Sequence, residues 1–241
     1  MTNIERAASV IVAARRARVQ IPVLSGELAP ASAEEAYAIQ DASMRLLGPV
    51  GGWKLAIGAA LSCSPIPADT IFQTPAKMPA DRPYKIEGEI GILIGKDLEQ
   101  QQSADTIRGA IASVHPAIEM VLSRFSGLAP KEQGLADCQS CEAVIVGKAI
   151  ESWSNSDLAS AQMALLIDGK TVTANADGAS LAAMLPALAW LANHALARGL
   201  PLRKGHIIIT GARVKTPAPG NPCGVAIEAG GHRQAISLDL T

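Results

Sequence analysis

Three glutamates of this chain sit inside short apolar segments. Two lie in Lys85-Ile86-Glu87-Gly88-Glu89-Ile90-Gly91-Ile92-Leu93-Ile94, the third in His115-Pro116-Ala117-Ile118-Glu119-Met120-Val121-Leu122. The first segment reads as a strand entering a core. Residues two apart on a strand face the same side, so Glu87 and Glu89 present two carboxylates to one face. Two like charges that close repel, and burial raises the cost. A divalent cation relieves both problems, and Mg²⁺ or Mn²⁺ favours oxygen ligands. Glu119 is flanked by Ala117, Ile118, Met120 and Val121, with no charge before Arg124, and supplies a third carboxylate. Taken alone, Glu-x-Glu reads first as an ordinary solvated strand face, since charged residues usually remain exposed. Three carboxylates in two apolar contexts set a metal site beside that reading.

Other reactive side chains give weaker signals. Lys54 lies between Trp53 and Leu55-Ala56-Ile57, where a lysine usually snorkels to solvent. The four histidines form no grouping with a nucleophile and an acid, and no Gly-x-Ser-x-Gly occurs, which argues against covalent serine or cysteine hydrolysis. Cys138 and Cys141 make one C-x-x-C without a matching second pair, and Cys63 and Cys223 stand alone. Reduced, unpaired thiols are expected rather than structural zinc.

These residues need elements to hold them. Ile4, Val10, Ile11, Ala14 and Val19 predict an amphipathic first helix, with arginines 6, 15, 16 and 18 on its wetter side. Ser32 and Glu35 fit a capping box for a second helix, which Gly48-Pro49 ends after Leu47. Gly51-Gly52 then leads into a short strand bearing Lys54. Residues 62–82, rich in Pro, Ala and Thr, read as a long loop. Strands are expected at 86–94, 117–122, 142–147, 162–167, 206–210, 224–228 and 234–240, with a helix over 104–114. Asp168-Gly169-Lys170 marks a hairpin turn. A long helix fits 180–198, ending at Gly199, with Pro186 kinking it or marking its first turn. This is no regular βαβ series, so a Rossmann fold is not expected. The division expected is a helical N-terminal lobe over 1–50 and a β-rich domain over 51–241.

Composition narrows the function classes. The 241 residues are 49% hydrophobic but only 3% aromatic, so the core must come from Ala, Ile, Leu and Val. The net charge is −1 with no long basic run, which argues against nucleic acid as a partner. No apolar stretch approaches the length of a membrane span. Glu5 and Arg6 interrupt any signal-peptide core, and a cytoplasmic location is the expectation. No phosphate loop or G-x-G-x-x-G fingerprint supports nucleotide binding.

Four segments taken together resemble a known family. Gly52-Trp53-Lys54-Leu55, Glu87-Gly88-Glu89, Pro116-Ala117-Ile118-Glu119 and Ala189-Trp190-Leu191-Ala192-Asn193 occur in the order and approximate spacing of the fumarylacetoacetate hydrolase superfamily. The nearest branch is that of 2-keto-4-pentenoate hydratase and 4-oxalocrotonate decarboxylase. The likeness runs from about Pro30 to the C-terminus. It implies an α+β fold, a mixed β-roll or flattened barrel with a helical N-terminal part. It implies that Glu87, Glu89 and Glu119 bind Mg²⁺ or Mn²⁺ and that Lys54 lies in the active site, as a proton donor or a group that holds an enolate. Proximity to the cation would favour loss of its proton. Asp137 and Ser140 match the polar ends of the family's Asp-Asn-x-Ser, here Asp137-Cys138-Gln139-Ser140, which implies a catalytic role for Asp137 and substrate binding by Ser140; an ordinary Asp turn explains them as well. Gly178 matches a Gly-rich loop before the long helix, where a substrate carboxylate could dock at the helix N-terminus or the glycine could simply make a turn.

The chain departs from the family pattern on the substrate side. Leu122 stands where hydratases of this branch commonly carry Asp before Ser-Arg, here Ser123-Arg124. Phe72-Gln73-Thr74-Pro75-Ala76 lacks the acidic residues many members carry there. Near the C-terminus the common Gly-Ser or Gly-Thr becomes Gly211-Ala212, followed by Arg213. Arginine makes charge-assisted, often bidentate bonds to carboxylates, so Arg213 is a candidate substrate-binding residue; a solvent-facing side chain is the alternative.

The resemblance implies a metal-dependent lyase on a small 2-oxo acid. The leading expectation is hydration of a 2-oxo-4-enoate in the breakdown of aromatic compounds. Decarboxylation of a 4-oxalocrotonate-type acid and carbon–carbon hydrolysis of an acylpyruvate use the same enolate and stay open. So does a catalytically degenerate subunit partnering an active relative. The other partners expected are a second copy of the chain, in a homo-oligomer, and a related pathway enzyme.

Overall fold

The computed structural model describes residues 1–151, 158–175, 177–218, 222–229 and 232–241, and for 232–238 the backbone alone. Helices α1 (Asn3–Ala17) and α2 (Ala33–Leu47) come first. Strands β1 (Val50–Ala56), β2 (Ser62–Pro67), β3 (Ile71–Gln73), β4 (Ala76–Met78) and β5 (Lys85–Ile94) follow. Next come α3 (Ala104–Arg108), β6 (Ile111–Val121), α4 (Lys131–Ala136), β7 (Cys141–Val146), β8 (Met163–Ile167) and β9 (Lys170–Asn175). Helix α5 (Leu181–Ala197) precedes β10 (Ile207–Ile209), β11 (Val214–Pro217), β12 (Cys223–Ala229) and β13 (His232–Leu240).

Two mixed sheets carry the fold. The larger runs β2-β1-β10-β5-β6-β7-β3, with β11 continuing the β10 side of β5; the smaller runs β4-β13-β12-β8-β9. Both are open among the described residues, so the flattened barrel expected from the sequence is a pair of packed sheets. Gly88 shows how they meet. A Cβ there would lie 2.5 Å from Ile227 and 3.0 Å from Met163, both in the smaller sheet. The glycine turns inward to let that sheet approach, and its neighbours Glu87 and Glu89 turn to the opposite face.

Helices α1, α2 and α4 form a separate apolar cluster of Ala7, Ile11, Ile39, Phe125, Leu135 and neighbours. Thr2 caps α1 in a full capping box with Glu5. The buried face of α1 is Ala7, Ala8, Ile11, Val12 and Ala14, whereas Val10 and Val19 are exposed. Arg15 turns inward and donates to the carbonyls of Cys141 and Glu142 at 2.9 and 2.7 Å. Ser32 caps α2, but Glu35 reaches back to the Ala31 N–H rather than closing the expected box.

Several expectations about the elements change. The stretch read as a long loop holds β2, β3 and β4. Pro65 and Pro67 are tolerated because β2 is the edge strand beside β1, where no second neighbour needs their missing N–H. The helix expected to reach residue 114 stops at Arg108, and β6 starts at Ile111 because it pairs with β5 along its whole length. His115 therefore lies within a strand, bonded to Ser113 Oγ and the Gly147 carbonyl, and does not end a helix. The hairpin turn holds: Asp168 and Gly169 have φ of 47° and 74°, as a type I′ loop requires. Helix α5 passes through Pro186 well beyond its first turn. Its N-cap is Ser180, whose hydroxyl accepts from the Ala183 N–H at 3.1 Å. Ser180→Ala is expected to cost about 1 kcal/mol, measurable as a lower urea midpoint. An unchanged midpoint would mean that packing alone holds this helix end.

All four cysteines are buried and unpaired. Burial pushes the Cys138 thiol up to about 11 and the Cys63 thiol up to about 12, so both stay protonated. No helix among the described residues is long and apolar enough to cross a membrane.

Candidate metal centre

Sheet register brings the three glutamates together. Glu87 on β5 is directly opposite Glu119 on β6, and Glu89 follows on the same face, opposite the small side chain of Ala117. One carboxylate oxygen from each can be chosen so that all lie within 4.8 Å of one another. Glu89 and Glu119 are fully buried, while Glu87 is partly exposed.

Each buried carboxylate has one oxygen satisfied and one orphaned. Glu89 Oε2 accepts from the Gly211 N–H at 2.7 Å, and Glu119 Oε1 accepts from Lys54 Nζ at 2.8 Å. Glu89 Oε1 and Glu119 Oε2 are buried with no hydrogen-bond partner. Neither can donate to the other when ionised. A buried polar atom left unpaired costs about 1–3 kcal/mol, and more when charged. One ammonium among three carboxylates leaves negative charge uncompensated. A hard divalent cation would satisfy both orphan oxygens and that charge, so the donor set fits Mg²⁺ or Mn²⁺. Burial raises the Glu89 carboxyl above the usual range, and the Glu119 charge adds to it. Burial also raises Glu119, against the opposing pull of Lys54.

Lys54 reaches the cluster from β1, across the intervening β10. Its side chain is 13% exposed and points inward, not to solvent. Burial would depress this ammonium, but Glu119, Cys141 and Glu89 outweigh it and hold the group above its ordinary value. The acids around Lys54 act to hold its proton, opposite in sign to the effect that a neighbouring cation is expected to have.

Gln139 is a site residue that sequence reasoning passed over. Its carbonyl accepts from Lys54 Nζ at 3.3 Å. Its side chain bonds Ser62 and Ser64 on β2, each at 3.0 Å, and Ser64 is the cross-strand partner of Lys54. Cys138, Gln139 and Ser140 have φ of 48°, 53° and 62°. Left-handed backbone at non-glycine residues stores strain and persists only where surrounding contacts impose it. The available signal was its place inside Asp137-Cys138-Gln139-Ser140.

Asp137, read from the sequence as a catalytic candidate, is committed elsewhere. Its oxygens accept from Arg124 Nε at 2.6 Å and from the Arg124 backbone N–H at 3.0 Å. Arg124 also pairs with Glu142 at 2.7 Å and is almost fully buried. A buried guanidinium needs such partners. Asp137 therefore anchors the strained turn through a buried ion pair rather than facing Lys54 or the glutamates. Ser140 lies half-buried at the end of that turn, with its carbonyl accepting from the Leu122 N–H. Gly178 and Arg213 meet at a neighbouring cavity, with the guanidinium lying against the glycine. Ser180 caps α5 by accepting from the Ala183 N–H, and Gly178 lies two residues before that cap.

Known proteins share this architecture. Residues 59–234 match the family model described as fumarylacetoacetate (FAA) hydrolase C-terminal. The chain is 35% identical over 130 residues to a 2-keto-4-pentenoate hydratase of Paraburkholderia xenovorans (strain LB400), covering 53% of this chain and 48% of that one. It thus spans about half the length of that relative. It is 30% identical over 231 residues to 2-keto-4-pentenoate hydratase 1 of Dechloromonas aromatica (strain RCB), covering 88% of each. The fold is shared with 4-oxalocrotonate decarboxylase from Pseudomonas putida G7, solved with magnesium and adipate, at a TM-score of 0.85 and 18% identity over 99% of this chain and 97% of that one. By the extent of the family match and of the second relative, the chain belongs to the fumarylacetoacetate hydrolase family.

Proposed function

We propose that this chain is a divalent-metal-dependent lyase acting on a small 2-oxo acid, and that its reaction is hydration of a 2-oxo-4-enoate in aromatic catabolism. The observation that carries this reading is the pair of orphaned, buried oxygens on Glu89 and Glu119, set beside Lys54 Nζ. The names of the hydratase relatives support the choice of reaction. Glu87, Glu89 and Glu119 would hold Mg²⁺ or Mn²⁺. When bound, the cation would supply Lewis-acid stabilisation of negative charge on the 2-oxo oxygen.

The chain's own residues do the rest. The Gly211 N–H and Lys54 each occupy one carboxylate oxygen and so fix which oxygens face the site. The dienol form of the 2-oxo-4-enoate loses its enol O–H proton and gains a proton at C5, giving the conjugated 2-oxo-3-enoate; water then adds its hydroxyl at C4 and its proton at C3. Lys54 Nζ carries the proton for this exchange, and the Gln139 carbonyl and Glu119 hold it in position. Ser140 is the proposed substrate contact at the end of the strained turn.

The test uses 2-hydroxypenta-2,4-dienoate and follows loss of its conjugated absorbance. EDTA-stripped protein is expected to be inactive, and Mn²⁺ or Mg²⁺ to restore turnover. Metal binding by calorimetry without turnover on this or any other 2-oxo acid would overturn the lyase reading.

A further inference from the structure

A cavity of about 350 Å³ adjoins the carboxylate cluster. Its wall includes Ala56 and Ile57, which follow Lys54 in the chain, and Gly211, whose N–H holds Glu89. Gly178, Ala179 and Arg213 also line it. Arg213 is half-buried and tied by its backbone N–H to the Gly88 carbonyl at 2.8 Å, between the two metal-side glutamates of β5. Its guanidinium donates to the carbonyls of Ala179 at 3.0 Å and Ala161 at 3.4 Å. Guanidinium has five N–H donors. Among the described residues Arg213 makes no ion pair, whereas the buried Arg124 and the half-buried Arg198 each have a carboxylate partner. Asp177 lines the same cavity but is not paired with it.

The guanidinium is seated, not loose. A Cβ on Gly178 would fall 2.3 Å from Arg213 Cζ and 2.6 Å from each terminal nitrogen. Only glycine lets the planar group lie there. A half-buried cation held in place with no counter-ion among the described residues is an incomplete ion pair. A ligand carboxylate in the cavity would complete it with charge-assisted bonds.

We infer that Arg213, seated on Gly178, binds a second carboxylate of the substrate, so that the chain prefers 2-oxo acids ending in a distal carboxylate to the corresponding monoacids. This rests on the proposed chelation of the 2-oxo acid at Glu87, Glu89 and Glu119. The preference would place the reaction among those that consume an unsaturated dioate.

The test is direct binding to the Mn²⁺-loaded protein by calorimetry, with saturated ligands that are not hydrated. The pairs are 2-oxoglutarate against 2-oxopentanoate and 2-oxoadipate against 2-oxohexanoate. The better dioate is expected to bind roughly tenfold or more tightly than its monoacid. Arg213→Gln should remove that difference, and Gly178→Ala should reduce it by displacing the guanidinium. Oxalate, too short to use Arg213, should bind wild type and both variants alike, which also checks that the variants fold. No discrimination by wild type, or discrimination that survives Arg213→Gln, overturns the inference while oxalate binding leaves the chelation reading intact. Failure of oxalate to bind the Mn²⁺-loaded wild type removes the chelation reading and this inference with it.

Discussion

Mn²⁺ added to the EDTA-stripped protein is expected to raise its melting temperature by about 5–10 °C. A ligand at a hundred times its dissociation constant stabilises the native state by about 2.7 kcal/mol, and each kcal/mol shifts a domain of this size by about 2–4 °C. Glu89→Gln should abolish most of the shift, because it removes a charged oxygen from the centre of the donor set. The substitution also makes a prediction of opposite sign for the stripped protein. Glu89 Oε1 and Glu119 Oε2 are buried acceptors with no donor between them. A glutamine amide can still accept from Gly211 through its oxygen and can donate to Glu119 through its nitrogen. It also removes the repulsion between two buried acids. Stripped Glu89→Gln should therefore melt no lower than stripped wild type, yet gain little from Mn²⁺. A wild-type melting curve indifferent to Mn²⁺ would sink the metal centre. A stripped variant that melts several degrees lower would show that Glu89 carries a structural role the orphaned oxygen does not reveal.

How much of this was legible depends on how far each signal reaches along the chain. The Glu-Gly-Glu alternation is local: strand periodicity alone puts both acids on one face, and the structure adds that Gly88 makes room for Ile227 and Met163 on the other. The Asp168-Gly169 turn is likewise local, since its two left-handed residues are written in its residue types. Strand β2 was missed because its prolines argue against a strand, and only its place at the edge of the sheet makes them harmless. The early start of β6 was missed for the same reason, since its first residues are strand by virtue of β5. Long-range partners also explain the site errors. The sequence leaves Asp137 between a site role and an ordinary Asp turn, and does not show its partner Arg124, thirteen residues away around a turn, which takes both oxygens. The orphaned oxygens that make the metal reading specific cannot be seen without the register that sets Glu87 against Glu119.

Lys54→Met should reduce turnover by about 10²–10⁴-fold, the scale of losing a general acid or base, while leaving metal binding in place. Methionine keeps much of the length and the apolar stem, so packing against the neighbouring strand is largely preserved. What is lost is the ammonium, held 2.8 Å from Glu119 Oε1 and 3.3 Å from the Gln139 carbonyl. Two roles for that ammonium make opposite predictions. If Lys54 only balances buried charge, its removal should leave turnover on the metal-loaded protein little changed, because the cation then supplies the balancing charge. If it carries the proton for the reaction, turnover falls although the metal is bound. Metal affinity gives a second, independent sign. The ammonium shares Glu119 with the cation and repels it, so Lys54→Met should bind Mn²⁺ at least as tightly as wild type. Calorimetry with Mn²⁺ and turnover of 2-hydroxypenta-2,4-dienoate at saturating metal separate these outcomes. Tight metal binding with turnover within about threefold of wild type, far short of the loss expected of an acid or base, would assign Lys54 to charge balance and leave the proton transfer to another group.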